Sequence, residues 1–360
     1  MNEFRPGLEG VVAFMTEIAE PDREGGSLRY RGVDIEELVG QVPYEQVWGL
    51  LVDESLTPGL PPAEPYTLHG ATGRAVSDLQ TATAHLGAEW NCGKVIDISD
   101  DEARSDLRRL SATMLSIVAQ SARVADGHTT PVDREMVTGG ETAAERFLLE
   151  WRGEADPSHV KAIDTYWICT AEHGMNASTF TARIVTSTGA DCAAALSAAV
   201  GALSGPLHGG APARVLPMLD EAAAAGEGIE AYVKSVLDTG RIMGFGHRVY
   251  RAEDPRARVL RRTAKELGSP RYEVADELER VALAELAVRH PERVLATNVE
   301  FWSAVVLDVA EIPPELTPAM FACSRTGGWS AHILEQKRTG KLIRPSAEYV
   351  GPSARSLTAL

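Results

Sequence analysis

Apolar residues recur at helical spacing through most of this 360-residue chain, and alternating β-branched runs bounded by turns are nearly absent. One well-marked helix is EDPRARVLRRTAKELG, in which Asp254 is placed to cap the helix, Pro255 occupies its first position and Gly268 suits its end. Another is the alanine-rich stretch that begins at Asp191 and stops near Gly205. The pattern predicts an all-α fold.

Length, charge and cysteine content narrow the function classes. A chain of 360 residues is longer than single hydrophobic cores usually grow, so we expect two domains. The net charge of −16 at pH 7, with no run of basic residues, argues against a nucleic-acid partner. No secretion signal or membrane-spanning stretch is recognisable, so we expect a cytoplasmic protein without a membrane partner. The four cysteines lack CxxC spacing, which predicts reduced, buried thiols.

Three histidines lie beside glycine, where the backbone can approach a ligand closely: His173 in AEHGMNAST, His208 in GPLHGGAP and His247 in GFGHRVY. Taken singly, each is more often a packed or surface side chain than a functional group. Metal binding is one interpretation of the set. Metal ligands usually come as close pairs on one helix, and no carboxylate stands at that spacing here, so we expect no metal site.

Arginines beside turns and helix starts are candidate anion-binding groups. Arg256 follows Asp254 and Pro255 at a helix N-terminus, where main-chain N–H groups already favour an anion. Arg325 in CSRTGG and Arg344 in LIRPS lie beside turn residues and suit bidentate contacts with a carboxylate. The alternative for each arginine alone is a solvated surface charge.

One acid stands at the edge of an apolar helix. In LATNVEFWSAVVLD, Asn298 suits the N-cap position, which puts Glu300 in the first turn of a helix whose other residues are apolar. Burial raises the pKa of such a carboxyl while the helix N-terminus lowers it, so it can stay ionised yet partly desolvated. That setting suits a base that takes a proton from carbon. The alternative is a glutamate that serves only the helix dipole.

These motifs resemble those of citrate synthases over most of the chain. GSLRYRGVDIEEL, AEHGMNASTFTARIVTST, GALSGPLHGGAP, GFGHRVYRAEDPRA, NVEFW and SRTGGWSAH occur in that family's order. The resemblance implies an all-α homodimer with a large domain, 1–207 with 301–360, and a small mobile domain, 208–300, that closes over the substrates. It also implies an acyltransferase that condenses acetyl-CoA with oxaloacetate and hydrolyses citryl-CoA to citrate and coenzyme A. The coenzyme A thioester is then a co-substrate, and no cofactor is permanently bound.

Carried over residue by residue, the resemblance implies a role for each candidate side chain. His208 resembles the donor to the thioester oxygen of acetyl-CoA, His247 the general acid on the keto oxygen of oxaloacetate, and Glu300 the base. The residues that resemble ligands of oxaloacetate and citrate are His173, Arg256 and Arg325, with Arg344 reaching in from the partner subunit. The residues that resemble the coenzyme A site are Gly244, Gly246 and Arg251.

The sequence departs from the family pattern at two places. Glu300 stands where the family has an aspartate, and an extra methylene moves the carboxylate by more than about an ångström, which can cost roughly a hundredfold in rate. The stretch 79–98 lacks the expected pattern but holds no candidate residue. Three alternatives stay open: a 2-methylcitrate synthase that uses propionyl-CoA, a non-catalytic paralogue that binds coenzyme A or a dicarboxylate, and a metal-dependent lyase.

Overall fold

The computed structural model describes residues 4–22, 26–57, 59–209, 214–246 and 253–356, and nearly all regular structure in these ranges is helical. The described helices are, in chain order, α1 Ile35–Leu38, α2 Tyr44–Asp53, α3 Ala75–Glu89, α4 Asp100–Ala125, α5 Arg134–Thr138, α6 Ala143–Arg152, α7 Pro157–Thr170, α8 Ala177–Ser187, α9 Cys192–Leu203, α10 Val215–Ala224, α11 Ile229–Thr239, α12 Pro255–Glu266, α13 Tyr272–Arg289, α14 Val299–Val309 and α15 Thr317–Thr339. The prediction of an all-α fold is confirmed.

A small antiparallel sheet near the N-terminus is the part of the fold that helical spacing does not predict. Its strands are β1 Ala19–Pro21, β2 Leu28–Tyr30 and β3 Val33–Asp34, paired in the order β1-β2-β3. Strands of two or three residues are too short to carry a period-two pattern. The sheet buries Tyr30, whose hydroxyl donates to the carbonyl oxygen of Ile168, 2.9 Å away, and so fixes the C-terminal end of α7.

Side-chain caps explain where the helices begin. The Asp254 carboxylate accepts a hydrogen bond from the backbone N–H of Arg256 at the start of α12, and the left-handed Gly268 follows its end. Asp191 caps α9 through the N–H of Ala194. Ser99 and Glu102 form a reciprocal capping box at the start of α4. The starts expected at Asp254 and Asp191 are therefore confirmed.

Helix α15 forms the centre of the core. It is buried on nearly every face and packs against α2, α4, α7, α8 and α9. Trp48 of α2, Trp167 of α7 and Trp329 of α15 are among the largest fully buried side chains. Burial of such aromatic rings contributes most of the favourable free energy at a helix crossing. A helix enclosed in this way holds its polar side chains in fixed positions, and it carries Arg325.

The segment predicted as the small domain packs in two ways. Helices α10 and α11 both contact α13, whereas α12 packs on α7 and α14. These contacts do not test the boundaries at 208 and 300, which stay a prediction.

Two further predictions, on the cysteines and on membrane-spanning helices, can be compared with the described residues. All four cysteines are free thiols; Cys169, Cys192 and Cys323 are buried as predicted, but Cys92 is only partly buried. None of the helices described here combines the length and apolar character that a membrane span needs.

Candidate active site

Residues from six separate parts of the chain line one cleft of about 390 Å³. The parts are the C-terminal end of α7 with the loop that follows it, the turn after α9, the backbone at Gly246, the start of α12, the start of α14 and the middle of α15. The cleft brings together six of the residues predicted from the sequence: His173, His208, Gly246, Arg256, Glu300 and Arg325.

The other four predicted residues are not placed in the cleft. His247 and Arg251 lie outside the described residues. Gly244 has a φ of +86° and lies under α14, where an added Cβ would be 2.8 Å from the Cβ of Phe301. In the structure, Gly244 allows the backbone to pass close to Phe301 of α14. Arg344 is exposed in the extended segment after α15, and its predicted contact belongs to a partner subunit.

The turn after α9 explains why His208 is surrounded by glycine. The N–H of His208 donates to the carbonyl oxygen of Gly205, and the N–H of Gly209 donates to that of Leu203. A Cβ on Gly209 would be 2.6 Å from the same Leu203 oxygen, so this position requires glycine. The tight turn lies directly on the end of α9 and leaves the imidazole on the wall of the cleft.

The His208 imidazole is uncharged at neutral pH. Burial, with a smaller contribution from the Arg325 guanidinium, lowers its pKa to about 4. Its Nε2 is 2.9 Å from the hydroxyl oxygen of Ser178, which also lies 2.9 Å from Asn176 Oδ1 and accepts from the Trp329 indole at 3.2 Å. The Ser178 hydroxyl has one proton and two candidate acceptors, so it can donate to Nε2 and leave the ring proton on Nδ1. Sequence analysis missed Ser178, although it stands in the motif AEHGMNAST.

Arg325 is a buried cation on the floor of the cleft. Its Nε donates to the carbonyl oxygen of Thr170 at 2.9 Å, and its guanidinium lies over the Phe321 ring. Among the described residues no carboxylate forms an ion pair with it; burial lowers its pKa, while the more distant Glu172 carboxylate acts in the opposite direction. A buried guanidinium without an ion pair is unfavourable until an anion binds it. Arg325 therefore indicates an anionic ligand.

Arg256 has a carboxylate partner that the sequence analysis did not assign to it. Asp254, which is fully buried, accepts from Nε and Nη2 of Arg256 at 3.0 and 2.7 Å, and also from the N–H of Val299 at 3.1 Å. Asp254 thus caps α12, holds the guanidinium plane and fixes the start of α14. The bidentate contact orients Arg256 at the edge of the cleft.

Glu300 lies in the first turn of α14, as the sequence predicted. Asn298 is the N-cap and its Oδ1 accepts from the N–H of Glu300 at 3.1 Å. Burial raises the pKa of the Glu300 carboxyl above its ordinary value, while Arg256 acts in the opposite direction. A carboxylate with a raised pKa is a stronger base than one in water, which suits proton abstraction.

A second buried layer lies behind His173 and Arg325. Glu172 is fully buried, and its Oε1 is 3.3 Å from Nε2 of His332, whose Nδ1 is 2.8 Å from a guanidinium nitrogen of Arg183. Burial acts to raise the pKa of Glu172, but His332 and Arg325 outweigh it and the net pKa is lowered. Sequence analysis missed Glu172, because nothing in its neighbouring residues indicates that it is buried against His332.

The described residues contain no group of three or more histidine, cysteine, aspartate or glutamate side chains that could hold a metal ion. The functional groups described in the cleft include a desolvated carboxylate, a neutral imidazole and two oriented guanidinium groups.

Comparison with known proteins assigns the family. The family model described as "Citrate synthase, C-terminal domain" matches residues 7–346. The chain is 60% identical to "Putative citrate synthase 2" of Mycobacterium tuberculosis, over 98% of this chain and 94% of that protein. It is 35% identical to the citrate synthase of Haloferax volcanii, over 97% and 96% of the two chains.

A solved structure agrees with these matches. It is the citrate synthase of Thermoplasma acidophilum in ternary complex with carboxymethyl coenzyme A and oxaloacetate, which superposes with a TM-score of 0.84 at 27% identity and covers 98% of both chains. The family model, the sequence relatives and the solved structure agree over nearly the whole chain, which therefore belongs to the citrate synthase family.

Proposed function

We propose that this protein is a citrate synthase that condenses acetyl-CoA with oxaloacetate and hydrolyses citryl-CoA to citrate and coenzyme A. The observation that carries the proposal is that one cleft is lined by Glu300, by the neutral His208 imidazole and by Arg325, whose buried charge forms no ion pair in the described residues. The Thermoplasma acidophilum relative was solved with a coenzyme A derivative and oxaloacetate, which supports the same substrate classes here.

Glu300 is the proposed base. Removing a proton from the methyl group of a thioester needs a carboxylate of raised basicity that is still ionised when the substrate binds. Burial supplies the raised pKa, and Arg256 favours the ionised form. The proton passes from the methyl carbon to a Glu300 oxygen, and the electron pair moves onto the thioester oxygen.

His208 is the proposed donor to that oxygen. A neutral imidazole donates one N–H, and the close turn after α9 fixes its direction before the substrate arrives. The proposal has Ser178 donate to Nε2, which leaves the ring proton on Nδ1 for the developing enolate. The enol then attacks the keto carbon of oxaloacetate, and we assign the accompanying proton transfer to His247.

The oxaloacetate carboxylates are proposed to bind Arg256 and Arg325, with His173 beside them. Arg325 fits a bidentate carboxylate contact because its charge is buried without an ion pair in the described residues. We assign Arg344 of the partner subunit to the same ligand, which makes the working unit a homodimer. Gly244, Gly246 and Arg251 are assigned to coenzyme A, which is a co-substrate and not a bound cofactor. We place the protein in the cytoplasm.

The proposal is tested by thiol release with acetyl-CoA, with propionyl-CoA, and with each in the absence of oxaloacetate. We expect oxaloacetate-dependent release from acetyl-CoA, and its loss in Glu300→Gln, which keeps the shape and removes the base. Glu315→Gln is the matched control because Glu315 is exposed, and it should behave as wild type. Full turnover by Glu300→Gln would overturn the assignment of the base.

A 2-methylcitrate synthase is the second candidate. The 2-methylcitrate synthase of Shewanella oneidensis is 31% identical over 98% of this chain and 96% of its own. One methylene is worth only about 1–3 kcal/mol of discrimination, so the ratio of kcat/KM for the two thioesters decides between them. A non-catalytic paralogue, suggested by glutamate at the base position, would bind ligands in calorimetry and release no thiol with either thioester.

A further inference from the structure

A second cavity lies well away from the candidate active site. It has a volume of about 210 Å³ and is enclosed by α4, α5, α6 and the proline-rich segment 60–67. None of its described lining residues also lines the active-site cleft. A cavity of about 150 Å³ holds a molecule of the size of benzene, so this one has room for roughly six to eight heavy atoms.

The cavity lining combines apolar side chains with polar ones, among them one acid. Leu115 and Phe147 contribute apolar surface, whereas Glu150 accepts hydrogen bonds from the Ser116 hydroxyl at 2.6 Å and from the Gln120 amide at 3.0 Å. Both bonds reach the same carboxyl oxygen, Oε1. Burial raises the pKa of Glu150, while its hydrogen bonds and the Arg134 guanidinium act in the opposite direction.

Three arginines line the same cavity, and backbone carbonyl groups are their hydrogen-bond partners. Arg123 donates to the carbonyl oxygens of Thr130 and Trp151 at 2.8 and 2.9 Å, and Arg134 donates to that of Ala63 at 2.7 Å. The third, Arg146, donates to the carbonyl oxygens of Gly140 and Glu141 at 3.2 and 3.3 Å. Carbonyl groups satisfy the N–H donors but carry no net charge to balance the guanidinium groups.

Three other arginines of α4, which do not line the cavity, form ion pairs with carboxylates. Arg104 and Arg108 pair with Asp53, and Arg109 forms a two-bond contact with Glu64. By contrast, none of the three cavity arginines forms an ion pair with a carboxylate within the ranges that the structure describes, although the chain is strongly acidic. Burial lowers the pKa of Arg146, and the carboxylates of Glu45 and Glu145, which form no ion pair with it, act in the opposite direction.

We propose that this cavity binds a small carboxylate of about four to six carbons, with its alkyl part on Leu115 and Phe147 and its carboxylate between Arg134 and Arg146. The cavity supplies the two things that such a ligand needs, apolar surface and guanidinium donors that form no ion pair within the described residues. A small carboxylate is favoured over inorganic phosphate because much of the lining is apolar.

The test is calorimetric titration of the full-length protein in chloride buffer with butyrate and hexanoate. Butyramide, the uncharged isostere of butyrate, and butylamine, its cationic counterpart, are titrated in parallel. We expect the carboxylates to bind with a Kd at least tenfold lower than that of butyramide. Arg134→Met should raise the butyrate Kd at least tenfold, and Arg134→Lys, which keeps the charge, should raise it less. Arg134 is exposed at the cavity mouth, so both variants should fold.

Two controls locate the bound carboxylate. Arg74→Met removes the same charge from an exposed position outside the cavity, and should leave the butyrate Kd unchanged. Arg325→Gln alters the candidate active site, and should also leave it unchanged. The proposal is overturned by absence of saturable carboxylate binding, by equal binding of butyramide, by tighter binding of butylamine or inorganic phosphate, or by a Kd insensitive to Arg134→Met. Loss of binding in Arg325→Gln would assign the carboxylate to the active-site cleft instead.

Discussion

His208 should stay uncharged far below neutral pH in the folded protein. Its imidazole is half-buried in the turn after α9, and burial together with Arg325 lowers its pKa from 6.5 to about 4. At pH 5.5 about 3% of His208 would then be protonated, compared with about 90% of a histidine of ordinary pKa. Lowering the pH from 7.5 to 5.5 is therefore expected to leave this ring neutral.

The assay is an NMR titration of the protein labelled at histidine. The chain has nine histidines, and His208→Gln identifies the signal of interest by its disappearance. A histidine peptide in the same buffer supplies the ordinary midpoint. A signal of His208 that titrates with its midpoint between pH 6 and 7 in the folded protein would refute the burial argument, and with it the neutral donor that the proposed mechanism needs.

The same shift has a consequence for stability, and its sign is defined. Between pH 6.5 and about 4 the unfolded chain binds a proton at position 208 that the native protein does not. The free energy of unfolding should therefore fall as the pH falls through this window, and the contribution of His208 is fully present above pH 6.5. Urea denaturation should show a smaller loss in His208→Gln over the same range.

Three further predictions concern single substitutions. Glu300→Asp introduces the family's aspartate but withdraws the carboxylate by about 1.5 Å in a cleft whose other residues surround a glutamate, so it should lower kcat for thiol release by about a hundredfold. An unchanged or higher kcat would contradict the proposed geometry and would assign the misplacement to the glutamate instead. Gly244→Ala should lower the free energy of unfolding in urea by about 1–3 kcal/mol more than Gly153→Ala. Both glycines have a positive φ, but only at Gly244 would the added Cβ collide with a neighbour. Equal losses of stability in the two variants would contradict the close packing at Gly244. Glu172→Gln should cost about 3–5 kcal/mol in the same assay, because it removes the buried negative charge that faces the Arg325 guanidinium. Glu20→Gln, in an exposed pair with an arginine, should cost less than about 1 kcal/mol, and similar costs for the two variants would contradict this role of Glu172.

Helical periodicity and capping residues were sufficient to predict the fold class and the starts of α9 and α12. Both signals are local: they depend on spacing within one helix and on one side chain at its end. The three-stranded sheet was not predicted because its strands have two or three residues and depend on packing against the end of α7.

The site was partly predictable for the same reason. Residues beside glycine or at helix starts, such as His208, Arg256 and Glu300, were marked by their own neighbours in the sequence. Ser178 contacts His208, and Asp254, besides capping its own helix, accepts from the N–H of Val299; both contacts form only when distant segments meet, so they are visible in the structure alone. Motifs carried over from the family added residues whose contacts would need a partner subunit, as for Arg344.

The central position of α15 has a consequence for how the polypeptide matures. Translation releases α2, α4, α7, α8 and α9 before it releases the helix that covers their apolar faces, so the nascent chain must keep those faces from aggregating until residue 339 has left the ribosome. Premature termination upstream of α15 would yield a chain that exposes these apolar faces, aggregates readily and lacks the Arg325 guanidinium of the cleft. Assembly of the binding pocket and protection from aggregation are thus completed by the same late event.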